Sequence, residues 1–589
     1  MAHATFILLL PLLASATIAA IASRLTYCNP VDIDYQYNFE QKARGISYRS
    51  AADPVIITHK GEYYLFATIS GGWWRSKDLK QWRYVKPDVA PHSWPKEDMC
   101  APAAVSVGDQ VYLFQSTFER RPLWVTSTPG TGRLTQFNPL MPQVPGAAGP
   151  WDPALFHDDD TDRWFMYFGS SNVYPLYGIE LDFARQLSYR GTAGELVGLR
   201  PELHGWERFG PNHTSSIKPF IEGAWMTKHR GKYYLQYAGP GTEFNVYANG
   251  AYIGDGPLGP FSYAPNNPIS YKPGGFVTGA GHGNTFQDLH GNFWNTGTPW
   301  VAVNFDFERR IALFPAGFDT EGLLFANTRF GDFPHYLPTE RWTNKDALFT
   351  GWMLLSYRKP AEASSYRGVF SPANATDENP RTYWVADSNK PGEWLAVDLG
   401  RECEVRAVQV NFTDYKSGIY ATDHTVYTQF KIQVSSDQKT WRTVVDLTSD
   451  PERRDRANAY QQLAQPERAR YVRYEHVHVA SPHLAISDLR VFGHGRGPAP
   501  ATPARFAVRR DGQDPRNAFV TWDDVPDAVG YNILWGIRSD KLYQTYQVFA
   551  DQRPALELRA LSLGQGYTFA IEAFNENGVS QPSERTSVE

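Results

Sequence analysis

A chain of 589 residues is too long for one hydrophobic core and divides into about three to five folding units. Aromatic residues at 14%, with 48 Gly and 42 Pro, favour short strands and many turns, so an all-β class leads. A formal net charge of −5 with Lys and Arg scattered along the chain leaves no basic stripe, which excludes nucleic acid as a partner; three cysteines are too few for a disulfide framework or a zinc cluster.

The chain begins with an apolar run, Phe6–Ile21, that passes through the small residues Ala19–Ser23 into polar sequence, although no Lys or Arg precedes it. Residues 1–22 therefore read as a signal peptide, and the mature protein is expected to be secreted, periplasmic or held at the cell surface, with no membrane span after signal removal. From about Asp53 to about Leu337 a degenerate repeat follows, in which a polar turn leads into an aromatic strand. Its copies are Lys60–Phe66, Gly108–Phe114, Asp162–Phe168, Gly231–Tyr237 and His290–Trp294. Each reads as the second strand of a four-stranded antiparallel sheet, and five such sheets set radially predict a five-bladed β-propeller over residues 23–345.

Short apolar strands lie just before these aromatic ones, and three carry a lone acid: Ala51-Ala-Asp-Pro-Val-Ile56, Trp151-Asp-Pro-Ala-Leu-Phe156 and Ile221-Glu-Gly-Ala-Trp225. An Asp-Pro pair taken singly is more often a turn signal. In a propeller, however, the innermost strands converge on one channel, so Asp53, Asp152 and Glu222 can share a site despite their separation in sequence. Crowding them raises at least one pKa, which is how a carboxylic acid stays protonated near neutral pH.

This ordered set, with Gly281-His-Gly-Asn284 in the fifth repeat and the turn Ser76–Trp82 closing the first, resembles glycoside hydrolase family 43. The resemblance covers about Asn29 to about Pro338. It implies Asp53 as general base, Glu222 as general acid and Asp152 as the residue that tunes and orients the acid, with no cofactor required for catalysis. An inverting pair needs roughly 6.5–9.5 Å between its carboxyls to admit the water. The resemblance also places His282 near the channel axis, against sugar or ion-bound water, and Arg310 against the sugar. A core imidazole and a solvated charge are the plain alternatives. In the second repeat Cys100-Ala-Pro-Ala-Ala104 departs from the family, where many relatives have an acid after Ala-Pro. Of the adjacent Trp73 and Trp74, which point to opposite faces of a strand, Trp74 is expected to line the pocket.

Residues 355–494 form a second unit. Its Pro372–Pro380, Tyr383-Trp384, Gly392–Gly400 and Leu484–Gly493 resemble the discoidin-like (F5/8 type C) sandwich, also found in family 32 carbohydrate-binding modules. That resemblance implies a structural calcium near Asp377 and Thr382, with Asp488 as a further ligand, and a second glycan as partner; a packing spacer is the alternative. Residues 495–503, rich in Gly and Pro, read as a stiff exposed linker that separates a last unit. Residues 504–589, with Ala518–Trp522, Gly530–Trp535 and Tyr567–Asn575, resemble a fibronectin type III sandwich, expected to act as a spacer.

The family 43 resemblance implies an inverting, exo-acting hydrolase that removes terminal sugars from plant-type polysaccharide or oligosaccharide side chains, with a substrate order that follows the activities dominating that family. The α-L-arabinofuranoside is expected first, then the β-D-xyloside, then a galactoside or galactofuranoside. A reading from another class is a non-catalytic lectin that has kept the propeller's shape.

Overall fold

The computed structural model describes residues 24–38, 41–89, 100–116, 121–344, 346–416, 426–449, 451–552 and 555–589. The segment read as a signal peptide lies outside them. The described chain is all β, with short 3-10 turns and no α-helix.

Five four-stranded antiparallel sheets follow one another, each built from consecutive strands. The first holds Val55–His59, Glu62–Phe66, Trp73–Ser76 and Trp82–Val85; the others begin at Cys100, Ala154, Glu222 and Thr285. The aromatic segments are the second strands. They are apolar on both sides because each blade sits between two others. Tyr63 and Leu65 pack toward Phe286 and Trp294 of the fifth blade, while Tyr64 and Phe66 pack toward Ala104 and Leu113 of the second. The first strands of successive blades touch in a closed ring, so their starting ends converge on one axis. Pairing of Thr26–Tyr27 with His335–Tyr336 joins the two ends of the propeller.

Behind it, the β-sandwich is built on two long strands, Trp394–Phe412 and Asn458–His478. Register shifts interrupt their pairing at Asp398/Cys403 and Val405/Ala407, irregularities that bend a sheet around a core. That core includes Trp384, Val397, Phe430, Ile432 and Leu489. In the last unit a three-stranded and a five-stranded sheet enclose Val520, Trp522, Ile533, Trp535 and Phe569.

The three units are packed together rather than strung out. Buried Arg49 pairs with Asp414 and Asp455 of the sandwich, each at 3.3 Å. Buried Arg490 grips Glu378 at 2.8 Å and donates to the Asp332 carbonyl at 2.7 Å. Arg208 of the propeller meets Asp514 at 2.9 Å, and the core of the last unit runs on into Tyr237 of the fourth blade and Trp206 of the turn that precedes it. The connector beginning at Gly495 thus does not hold the last unit apart, because the apolar surface beneath it is buried against the propeller.

Candidate active site

Each innermost strand is entered through a residue in the left-handed region. These are Asp53 (φ 52°), Ala101 (35°), Asp152 (45°), Gly223 (63°) and His282 (44°), one per blade. A non-glycine residue held there costs on the order of 1 kcal/mol or more and persists only where its surroundings fix it. Hydroxyl groups supply much of that fixing. The Thr298 hydroxyl accepts the Asp53 N–H at 2.9 Å and donates to the His282 carbonyl at 3.1 Å. Ser116 accepts the Asp152 N–H at 3.0 Å. Thr68 accepts the Ala101 N–H at 2.7 Å and donates to Asp53 Oδ2 at 2.5 Å.

The same ring brings Asp53, Asp152, Glu222 and His282 together. His282 Nδ1 lies 3.2 Å from Asp53 Oδ1 and 4.0 Å from Asp152 Oδ2. Arg309 Nη1 stands 3.5 Å from Asp53 Oδ1. Glu222 receives the Ser170 hydroxyl at 3.0 Å on Oε2 and the Tyr247 hydroxyl on Oε1. Gly223 is required here: a Cβ would come within 2.9 Å of the His282 ring, at a φ that favours glycine.

These contacts separate the carboxyls electrostatically. Burial alone pushes Asp53 up, but His282, Arg309 and the Thr68 hydroxyl outweigh it and hold the group below the usual carboxylate range. Burial, joined by the neighbouring charges of Glu222 and Asp53, pushes Asp152 up to about 7, with His282 and Ser170 opposing only in part. For His282 burial works against the charged form, yet the three acids around it raise its pKa above the ordinary value. Ligand atoms of Asp152, Glu222 and His282 lie within 4.8 Å of one another, the one such group among the described residues. Protonated, His282 pairs with the acids around it; neutral, its ring offers a lone pair.

Two expected sugar contacts are elsewhere. Trp74 is fully buried, edge to face with Tyr84 at 5.6 Å, in the core between the first and fifth blades. Trp73 fills the core toward the second blade. Opposite faces of a blade strand are both interior, so neither ring reaches the channel. Arg310 points away from the acids: it donates to Asn458 Oδ1 of the sandwich at 3.1 Å and to the Arg49 carbonyl at 2.6 Å. Its neighbour Arg309 takes the place beside Asp53. Thr68, Ser170, Tyr247 and Thr298 were not singled out in the sequence, although three of them stand just past an aromatic second strand.

In the sandwich, Thr382 donates to both Asp377 oxygens, at 2.9 and 2.8 Å. Asp488 is wholly buried, and neither carboxylate oxygen has a hydrogen-bond partner. Burial, then Glu378 and Asp377, push it well above the carboxylate range. Orphaned hard oxygens of this kind fit a calcium ion.

Residues 44–299 match the family model Glycosyl hydrolases family 43, and residues 360–486 match the F5/8 type C domain. The chain thus carries a family 43 domain followed by a discoidin-like domain. Xylosidase/arabinosidase 43B of Humicola insolens is 26% identical over 264 residues, spanning 39% of this chain and 44% of that protein. Beta-D-galactofuranosidase xynD of Aspergillus niger is 26% identical over 148 residues, spanning 25% of this chain and 36% of that protein. The chain spans less than half the length of these curated relatives. A solved structure described as a glycoside hydrolase is 18% identical, covering 75% of this chain and 97% of that chain, with a TM-score of 0.44.

Proposed function

We propose that this family 43 domain makes the chain an exported, inverting glycoside hydrolase acting on side chains of plant-type glycans, with a terminal α-L-arabinofuranoside as first substrate. The observation that carries the reading is the split between the acids. His282, Arg309 and Thr68 favour the ionised form of Asp53, while burial and the neighbouring acids push Asp152, beside Glu222, toward its protonated form. Inversion needs that division: Asp53 takes a proton from the attacking water, and a carboxyl group across the ring delivers one to the leaving oxygen. Glu222, oriented by Tyr247 and Ser170, makes the delivery, and Asp152 tunes and orients it. His282 and Arg309 keep Asp53 charged and face the sugar. β-D-Xylosides and galactofuranosides follow as substrates, in keeping with the names of the relatives above.

The discoidin-like domain is read as holding a structural calcium through Asp377, Thr382 and Asp488, a role supported by the orphaned Asp488 oxygens; the ion would neutralise that buried acid. The same domain is read as taking a second glycan. The last unit's two facing sheets support a fibronectin type III-like module.

The test is hydrolysis of nitrophenyl arabinofuranoside, xyloside, galactoside and galactofuranoside by wild type, Asp53→Asn and Glu222→Gln. Turnover of one glycoside should vanish in Asp53→Asn and fall about 10²–10⁴-fold in Glu222→Gln, with the first-formed sugar of inverted configuration by NMR. If nothing turned over while a glycan array bound wild type and variants alike, the lectin reading would replace this one.

A further inference from the structure

A cleft of 580 Å³ opens where the three units meet, outside the acid ring. The propeller supplies Asn212, Asn245 and Trp300, the discoidin-like domain Arg381, and the last unit Tyr546 and Gln547.

Its chemistry suits a glycan. Gln547 is only 3% exposed; its Oε1 accepts from Lys272 at 3.4 Å, while its Nε2 has no partner. That nitrogen is closed off from solvent, so Gln547 forms part of the cleft floor rather than a contact for a ligand. Asn245 donates to Asn212 Oδ1 at 2.9 Å and accepts the Asn212 N–H at 3.2 Å, which fixes an exposed amide at the rim. Arg381 stacks over the Trp300 ring at 4.1 Å and so braces it. Aromatic side chains among fixed amides match the alternating C–H faces and hydroxyls of a sugar chain. Neighbouring Arg559 and Glu557 pair at 2.8 Å, so their charges offset one another and leave Arg381, laid over the Trp300 ring, as the remaining charge of the lining.

Its place ties it to the reaction. Trp300 pairs through its backbone with Arg309, whose guanidinium faces Asp53. Asn245 follows two residues after Glu243, which feels the charge of Glu222. The cleft therefore starts one residue contact away from the acid ring.

We infer that this three-unit cleft binds the polysaccharide backbone whose side-chain sugar is cleaved at the acid ring. The inference rests on the hydrolase reading above, and the test separates the two. Wild type, Tyr546→Ala and Asn212→Gly are compared, the glycine because it tolerates the left-handed backbone at that position (φ 51°). One readout is the kcat/KM on arabinan or arabinoxylan divided by that on the nitrophenyl glycoside. The other is retardation in native gels containing the same polysaccharides. Each variant should lower the ratio about tenfold, the equivalent of one contact of roughly 1.4 kcal/mol, and should weaken retardation. Retardation lost in the variants with no glycoside hydrolysed by wild type would sink the hydrolase reading and leave the cleft as a glycan site. A ratio and a retardation both unchanged in the two variants would overturn the cleft.

Discussion

Thr68→Val probes the electrostatics of the ring most sharply, because valine keeps the shape of threonine and removes both of its hydrogen bonds. The variant loses the donor 2.5 Å from Asp53 Oδ2 and the acceptor 2.7 Å from the Ala101 N–H. A hydrogen bond to a charged group is worth roughly 1.5–3 kcal/mol. Asp53 is buried, so solvent does not screen this contact away. The sign follows from the base's role. As the proposed general base, Asp53 must be ionised to accept a proton; its pKa lies below the usual value, so kcat/KM should fall as pH drops through it. Removing a donor that stabilises the ionised form moves that acidic limb to higher pH, by about one to two units at 1.36 kcal/mol per unit. The assay is kcat/KM on the preferred nitrophenyl glycoside from strongly acidic to mildly basic pH, so that the wild-type limb falls inside the range, with Thr68→Ser as control. Serine keeps the hydroxyl and should restore the wild-type limb. A limb that stays put while activity falls equally at every pH would assign Thr68 to backbone support alone and refute the electrostatic argument.

The two adjacent arginines should separate cleanly. Arg309→Ala removes a cation 3.5 Å from Asp53 and should also move the acidic limb upward. Arg310→Ala leaves buried Glu308 without its ion-pair partner at 3.6 Å, costs on the order of 3–5 kcal/mol, and should lower the melting temperature with the pH profile unmoved. Gly223→Ala drives a methyl group to 2.9 Å from the His282 ring and should lower kcat about 10²-fold, the scale of a roughly 1 Å misplacement; wild-type turnover in that variant would show that His282 has no fixed part in the reaction. Chelation should lower the melting temperature of the discoidin-like domain, since a ligand at a hundredfold excess over its Kd stabilises by about 2.7 kcal/mol. Asp488→Asn should remove that sensitivity, with calorimetry in EDTA against added calcium as the readout.

What was legible in the sequence had a local pattern behind it. The five aromatic strands showed because their turns and apolar runs recur, and Asp53, Asp152 and Glu222 showed because acids interrupt strands that are otherwise apolar. Trp74 misled because alternation along a strand tells one face from the other only when one face is open; in a blade, both are covered by neighbours. Arg309 and Arg310 could not be told apart locally. Asn458, 148 residues away, helps to draw Arg310 toward the sandwich and leaves Arg309 for the site. The hydroxyl contacts lie between these extremes. Aligning the second-strand ends Phe66-Ala-Thr68, Phe114-Gln-Ser116, Phe168-Gly-Ser170, Tyr237-Ala-Gly239 and Thr296-Gly-Thr298 puts a hydroxyl at one position in four blades and glycine in the fourth. Three of these hydroxyls, Thr68, Ser116 and Thr298, hold the N–H of the left-handed residue in the next blade round the ring, and Ser170 instead holds the acid itself. The repeat that builds the propeller therefore also aims its carboxyls, whereas the three-unit cleft depends on contacts between units that no repeat encodes. Exchanging the last unit alone, which supplies Tyr546 and Gln547 but not Asn458, should consequently alter which polymer is accepted while leaving the ionisation of Asp53 intact.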